Sequence, residues 1–169
     1  MAASKDFRRA SFDGNRVKLS GKFVGRSTYW KLYTIENTMR VVIHSVLLAQ
    51  QGPHYWDTAI SPTIQRNVRR YKRAYAGRPL HATPGRHDIY YVGLSDLNEI
   101  ARINRHLILP VIADIDQWIA RIEKVRLPRN IVAHMNWLRA VDRRRVDAVL
   151  RDMLNLSDRL STSIVMLIP

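Results

Sequence analysis

The feature that most constrains the fold is a helical hydrophobic pattern that recurs along most of the chain. In residues 110–126, the apolar positions are spaced by four, three, four and three residues: Val111, Ile115, Trp118, Ile122 and Val125. Such spacing places apolar side chains on one face of an α-helix that packs against a core. Similar periodicity predicts helices over residues 28–50, 55–76, 95–105 and 142–160.

Pro128 is predicted to interrupt this pattern. A proline inside a helix removes a hydrogen bond and clashes with the preceding turn, whereas the first turn of a helix accepts it. Leu127-Pro128 therefore predicts the end of one helix and the start of another, over residues 128–138. Only residues 89–92 show a strand-like pattern. We accordingly predict an all-α fold, an antiparallel bundle of five to six helices with short connections.

The first 26 residues differ in composition from the rest of the chain. They are polar and basic and contain three glycines, Gly14, Gly21 and Gly25. We interpret residues 1–26 as a basic, flexible arm with a short extended piece at residues 16–24, and residues 27–169 as one helical domain. A chain of 169 residues is long enough for one substantial core.

The charge balance indicates an anionic partner. Twenty-eight Lys and Arg residues face 14 Asp and Glu residues, for a net charge of +14, which favours binding to nucleic acid. An anionic membrane surface or an acidic protein is the alternative. The predicted second helix carries a basic cluster that is either an RNA-binding track or a solvated helix face: Arg66, Arg69, Arg70, Lys72 and Arg73.

Several classes of site are not expected. The chain has no cysteine, which excludes disulfides, thiolate catalysis and cysteine-ligated zinc. His81 and His87 lack a nearby set of carboxylates and are weak metal ligands by themselves, so we predict no metal site and no cofactor. The first 26 residues have no apolar core typical of a secretory signal, and no apolar stretch reaches the length of a membrane span. We therefore predict a cytoplasmic protein with no membrane partner.

The segment at 128–134 reads PRNIVAH and carries the strongest functional signal. It places Arg129 and His134 within two helical turns, with the polar Asn130 beside the arginine. An imidazole can move protons while a guanidinium holds a phosphate, so this pair is suited to cutting a phosphodiester without a metal ion. The alternative is a surface arginine near a core histidine.

This segment resembles the Arg-x(4–6)-His signature of the HEPN superfamily of helical ribonucleases and nucleotide-binding domains. Segments 33–40 and 94–100 are similar to one branch, known as an appended domain of a transcript-surveillance endonuclease. The resemblance covers roughly residues 28–160. It implies a metal-independent endoribonuclease that acts as a homodimer on RNA and leaves a 2′,3′-cyclic phosphate. His134 would transfer the proton, Arg129 would clamp the phosphate and Asn130 would orient the pair.

The resemblance also implies biological partners. It suggests a toxin or an effector in host–parasite conflict, with an antitoxin or a larger complex as a partner. Members controlled by a nucleotidyltransferase antitoxin carry a tyrosine two residues after the histidine. This chain has Asn136 there, so control by nucleotide addition at that position is not expected.

Polar residues of the first predicted helix are expected to brace the site: Glu36, Asn37 and Arg40. The alternative is a surface ion pair between Glu36 and Arg40, which are four residues apart. Two other functions remain open from the residues alone. One is a non-catalytic HEPN-like module that binds RNA or protein. The other is an assembly protein that docks through its apolar tail at residues 164–168.

Overall fold

The computed structural model describes residues 6–78 and 80–169, and this part of the chain is helical with no strand. The predicted all-α class is therefore confirmed. The first five residues of the expected arm, and Pro79, lie outside the described part. The helices are α1 (Gly14–Val24), α2 (Trp30–Gln51), α3 (Tyr55–Ala59), α4 (Pro62–Ala76), α5 (Leu94–Ile103), α6 (Arg105–Ile108), α7 (Ile115–Ala133) and α8 (Ala140–Ser161).

The N-terminal region is more regular than its composition predicts. A π-helical turn (Gly25–Tyr29) joins α1 to α2 without a break. The extended piece expected at residues 16–24 is therefore wrong, and the boundary expected at residue 26 falls inside a helix. The Asp13 carboxylate caps α1 by accepting from the Asn15 backbone N–H at 2.9 Å. The Phe23 ring stacks on Trp137 with ring centres 4.8 Å apart, which holds α1 against the chain between α7 and α8.

The core lies between α2, α7 and α8, with α5 packed against α7. The buried positions of α8 follow the expected helical spacing: Val146, Val149, Leu150, Met153, Leu156 and Leu160. The apolar tail at residues 164–168 also contacts the bundle, because the Leu167 backbone N–H donates to the Ser45 hydroxyl on α2 at 2.8 Å.

Helix α7 continues through Pro128, so the predicted break at Leu127-Pro128 and the separate helix at 128–138 are wrong. Pro128 has no N–H to donate, which costs about 3 kcal/mol in an ordinary helix interior. Val125, Pro128 and Val132 are all buried. Because the apolar face of α7 extends past the proline, burial of that face offsets the lost hydrogen bond. The helix ends instead at Ala133, and Met135 follows with a positive φ of 58°.

The structure corrects two local predictions near α4. Pro62 starts α4, and the Ser61 hydroxyl accepts from the Ile64 backbone N–H, so the single helix predicted over residues 55–76 is divided into α3 and α4. The strand-like pattern at residues 89–92 is instead a 3-10 helix (Asp88–Tyr91). The described part of the chain contains no strand with which this segment could form hydrogen bonds.

A buried chain of polar rings joins α2, α3 and the 3-10 helix. The Ile89 backbone N–H donates to His87 Nδ1 at 3.1 Å, so a neutral His87 carries its proton on Nε2. His87 Nε2 then donates to the Tyr55 hydroxyl at 3.4 Å, and that hydroxyl donates to His44 Nδ1 at 2.8 Å. Burial lowers the pKa of His44 from 6.5 to about 4 and also lowers the pKa of His87. Both imidazoles are therefore neutral in the folded protein at pH 7.

We predict that the folded state loses stability as the pH falls from about 6.5 to about 4. Because the pKa of His44 is lowered on folding, its contribution is complete above the unfolded value and is lost as the unfolded chain takes up the proton. The shift corresponds to a loss on the order of 3 kcal/mol at the acid end. Urea unfolding of His44→Asn at several pH values should show a shallower loss, because asparagine keeps an acceptor that cannot titrate.

His106 is exposed on α6 and provides a matched control. His106→Asn should keep the wild-type dependence of the unfolding free energy on pH. If His44→Asn and the wild type instead lose stability in parallel across this window, the buried ring chain is not the source of the pH dependence.

Candidate active-site cleft

An open cleft lies between the first half of α2, the second half of α7 and the start of α5. It consists of two adjoining cavities of about 420 and 470 Å³, within the range of roughly 300–1,000 Å³ found for small-ligand sites. The first cavity extends towards Tyr71 and Tyr75 on α4, and the second extends towards Tyr29 in the π-helical turn and Tyr33 in the first turn of α2. The side chains shared by both cavities are Glu36, Arg40, Pro84, Tyr90 and Arg129.

Glu36 is the anionic centre of the shared wall. Its side chain is only 12% exposed, and its two carboxylate oxygens accept from different guanidinium groups. Arg40 Nη2 donates to Oε1, and Arg129 Nε donates to Oε2 at 3.0 Å. Glu36 therefore links α2 to α7 across the cleft, which is more than the surface ion pair that spacing alone allows.

The Arg40 guanidinium donates its hydrogen bonds to other groups of the protein. Its Nη1 atom donates to the Asn37 side-chain oxygen at 2.9 Å, and Nη2 also donates to the Val92 carbonyl at 2.9 Å. Its Nε atom is buried without a partner among the described residues. Arg40 thus joins α2 to the segment before α5. The structure brings Glu36, Asn37 and Arg40 together with Arg129, and their role in bracing a site stays a prediction.

Arg129 is the guanidinium left available to a ligand. Its side chain is 33% exposed, and within the described residues only Nε is used, in the bond to Glu36. Its Nη2 atom lies 3.7 Å from the position that a Cβ atom would occupy at Gly93. Arg129 Nη2 is therefore close to the residue that precedes α5. A guanidinium held in this way can bind a phosphate with both terminal nitrogens.

The two cavities differ in net charge because they are lined by different acidic side chains. Asp96 lines the first cavity, where its carboxylate accepts from the Gly93 N–H at 3.4 Å and caps α5. Glu36 and Asp96 there balance Arg40 and Arg129. The second cavity lacks Asp96, so its charged side chains have a net charge of +1. An anion is accordingly favoured on the side of Arg129 that faces the second cavity.

Tyrosine side chains dominate the walls of the cleft. The chain has seven tyrosines. One of them, Tyr55, is in the core, and the other six line one or both cavities: Tyr29, Tyr33, Tyr71, Tyr75, Tyr90 and Tyr91. Sequence analysis did not identify them as site residues. No spacing signal exists that could have done so, because they come from the start of α2, from α4 and from the 3-10 helix.

His134 lies at the end of α7, outside the wall of the cleft. It is exposed, and its backbone N–H donates to the Asn130 carbonyl at 3.0 Å. No hydrogen bond joins the His134 and Arg129 side chains within the described residues. The motif was expected at the start of a helix, but α7 runs through Pro128, so Arg129 lies in the last turns and His134 follows them. Neighbouring Ala133 and Met135 do line the second cavity.

The polar residues around His134 have separate roles. Asn130 is half-buried and lines the first cavity, but its side chain makes no hydrogen bond within the described residues. The Asn136 side chain donates to the His134 carbonyl at 2.9 Å and accepts from Arg8 Nη1 at 3.3 Å. Asn136 therefore fixes the turn that carries His134 and ties it to the N-terminal segment.

The predicted basic cluster borders the cleft. The four arginines of this cluster are exposed, and they are Arg66, Arg69, Arg70 and Arg73. Lys72 differs from them because it pairs with Asp88 and lies over the Tyr91 ring. Lys72 thus supports the wall of the first cavity. The exposed arginines share α4 with Tyr71 and Tyr75, so the basic surface and the cleft are contiguous.

No protein-family model, curated protein or solved structure matches this chain. The site is therefore described from its own geometry. Across residues 6–78 and 80–169, no three His, Asp or Glu side chains are grouped in a way that could hold a metal ion. In the same part of the chain, the helices are too short or too polar to cross a lipid bilayer.

We predict that Glu36→Gln lowers the free energy of unfolding by roughly 2–3 kcal/mol, because it leaves two neighbouring guanidinium groups without their shared anion. Urea unfolding at pH 7 measures this change. Glu99→Gln is the matched control, since Glu99 pairs with Arg102 at the surface with side chains 38% and 67% exposed. That control should change stability by less than about 0.5 kcal/mol. Equal losses in the two variants would show that Glu36 does not link the helices.

Proposed function

We propose that this protein is a metal-independent endoribonuclease whose complete active site is formed by two copies of the chain. The observation that carries the proposal is the state of Arg129, whose Nε is fixed by a buried carboxylate while its terminal nitrogens remain open to the cleft. This arrangement suits a preorganised phosphate clamp. The exposed His134, five residues later, supplies a side chain that can transfer protons. The activity is proposed to take place in the cytoplasm.

The proposed reaction is internal transesterification of RNA. An imidazole takes the proton of a ribose 2′-hydroxyl, and the 2′-oxygen forms a bond to the adjacent phosphorus. The bond from phosphorus to the 5′-oxygen of the next nucleotide breaks, and that oxygen takes a proton from the imidazolium, which returns the imidazole to its neutral form. The products are a 2′,3′-cyclic phosphate and a 5′-hydroxyl end. Arg129 offsets the negative charge that develops on the phosphate oxygens.

The requirement for a second copy follows from the position of His134. In a single chain no hydrogen bond joins it to Arg129, and it is absent from the walls of the cleft. It is also next to an exposed apolar surface, because Leu127, Ile131 and Met135 follow one another at four-residue spacing and are 61%, 36% and 89% exposed. Apolar surface of this kind commonly marks a protein interface. A symmetric dimer through it would bring the second copy's histidine towards this cleft.

We predict that Arg129→Ala and His134→Ala each reduce cleavage of labelled RNA in EDTA at least a hundredfold, because each removes a group that stabilises the transition state. Products of the wild type should carry 2′,3′-cyclic phosphate ends. Arg126→Ala and His106→Ala are controls, since Arg126 pairs with Glu123 and His106 is exposed away from the cleft. Both controls should cleave at the wild-type rate.

Co-refolding of the two inactive variants tests the composite site. If each site combines Arg129 from one copy with His134 from the other, mixed dimers contain one intact site, and about a quarter of the wild-type activity should return. Recovery of no activity would contradict the composite site. Unchanged cleavage by both single variants would contradict the nuclease proposal itself.

A non-catalytic RNA-binding module is the second candidate function. It is favoured by the separation of His134 from Arg129 in one chain and by the basic surface that continues from α4 into the cleft. This candidate predicts stable complexes with uncut RNA in EDTA, weakened by added salt because phosphate contacts release counterions. Gel-shift and cleavage assays on the same labelled RNA distinguish the two functions.

A further inference from the structure

We propose that the cleft contains two base-binding subsites, one on each side of Arg129, and therefore holds two adjacent unpaired nucleotides with their connecting phosphate on the guanidinium. This inference rests on the proposed binding of RNA to the same cleft, and it specifies the smallest part of the RNA that the protein recognises. It does not require that the RNA be cut.

The arrangement of the two cavities carries the first step of the argument. Arg129 belongs to the wall common to both, and so do Glu36 and Tyr90. A phosphate bound to the terminal nitrogens of Arg129 would consequently have a cavity on either side. A phosphodiester has one nucleoside on either side of its phosphate. The bipartite shape of the cleft thus corresponds to a dinucleotide more closely than to a mononucleotide.

The side chains of each cavity carry the second step. Tyr71, Tyr75 and Tyr91 are found only in the first cavity, and Tyr29 and Tyr33 only in the second. Nucleobases stack on aromatic rings, and such stacking tolerates different bases because every base has a π face. None of these tyrosine hydroxyls makes a hydrogen bond to another described residue. They are therefore available to the edges of a base or to ribose.

Exposure identifies the ring that is most accessible in each cavity. Tyr71 is 46% exposed and Tyr33 is 61% exposed, whereas Tyr75 and Tyr91 are half-buried and contact each other edge to face. Tyr71 and Tyr33 also belong to different helices, α4 and α2. Substituting either one should therefore affect one subsite and leave the other in place.

Tyr90 forms the boundary between the subsites, and Gly85 determines its position. A Cβ atom placed on Gly85 would lie 2.4 Å from the Tyr90 ring, a distance at which one of the two must move. The ring packs directly against the glycine backbone. Gly85→Ala should thus displace the boundary without removing any group that is proposed to bind RNA.

Binding of a 2′-deoxy dinucleotide tests the inference. The deoxy dinucleoside monophosphate dApdA has no 2′-hydroxyl and cannot be cleaved by the proposed reaction, so calorimetry measures binding alone. We expect wild-type protein to bind dApdA at least tenfold more tightly than dAMP, because a second base is stacked. Inorganic phosphate should bind more weakly than both.

Matched variants assign the two subsites. Tyr33→Ala and Tyr71→Ala should each weaken binding of dApdA about tenfold, whereas Tyr33→Phe and Tyr71→Phe should bind it within about twofold of the wild type, since phenylalanine keeps the stacking face. Gly85→Ala should reduce the preference for dApdA over dAMP. Circular dichroism of each variant shows whether the helices are retained.

The outcomes separate this inference from the proposed reaction. Equal affinity for dApdA and dAMP, or loss of dApdA binding in neither alanine variant, would overturn the two-subsite arrangement even if RNA is cut. Tight, tyrosine-dependent binding of dApdA without any RNA cleavage would support the subsites and contradict the nuclease. Equal losses in the alanine and phenylalanine variants would exclude stacking as the source of affinity.

Discussion

The carboxylate of Glu36 is the interaction on which the cleft depends. It lies on α2, is nearly buried and joins the guanidinium groups of Arg40 and Arg129. A buried charge is unfavourable unless it is paired and hydrogen-bonded, and each oxygen of this carboxylate has its own partner. Arg40 also donates to the Asn37 side chain and the Val92 carbonyl. Of the two guanidinium groups, Arg129 is therefore the one that retains hydrogen-bond donors for a ligand. One carboxylate therefore both connects two helices and orients the proposed phosphate clamp.

The continuity of α7 determines where the two motif residues lie. Because the helix passes through Pro128, Arg129 occupies a regular helical position facing α2, and the chain turns only after Ala133. His134 consequently lies beyond the helix, at a turn fixed by the positive φ of Met135 and by the Asn136 side chain. The separation of the His134 imidazole from the Arg129 guanidinium therefore results from the packing of α7. For this reason the proposed nuclease site requires two copies of the chain.

The opposite wall of the cleft depends on the buried ring chain behind it. His44, Tyr55 and His87 join α2 and α3 to the segment that leads into the 3-10 helix Asp88–Tyr91. That segment supplies Tyr90 and Tyr91 to the cleft, and Lys72 on α4 adds a further tie through Asp88. The neutral, hydrogen-bonded state of the histidines therefore has a structural consequence outside the core, since it positions the aromatic surface that is proposed to bind bases.

Hydrophobic periodicity in the sequence determined the all-α class and the main extents of α2, α5 and α8, because a helix buries its apolar face whatever it packs against. The PRNIVAH segment at residues 128–134 singled out Arg129, and the polar residues of the first predicted helix singled out Glu36. The tertiary structure alone decided that α7 tolerates Pro128, that His134 stands apart from Arg129, and that six tyrosines surround one cleft. These features depend on long-range burial and on the convergence of separate segments, and the periodicity of any one segment contains no information about its neighbours in space.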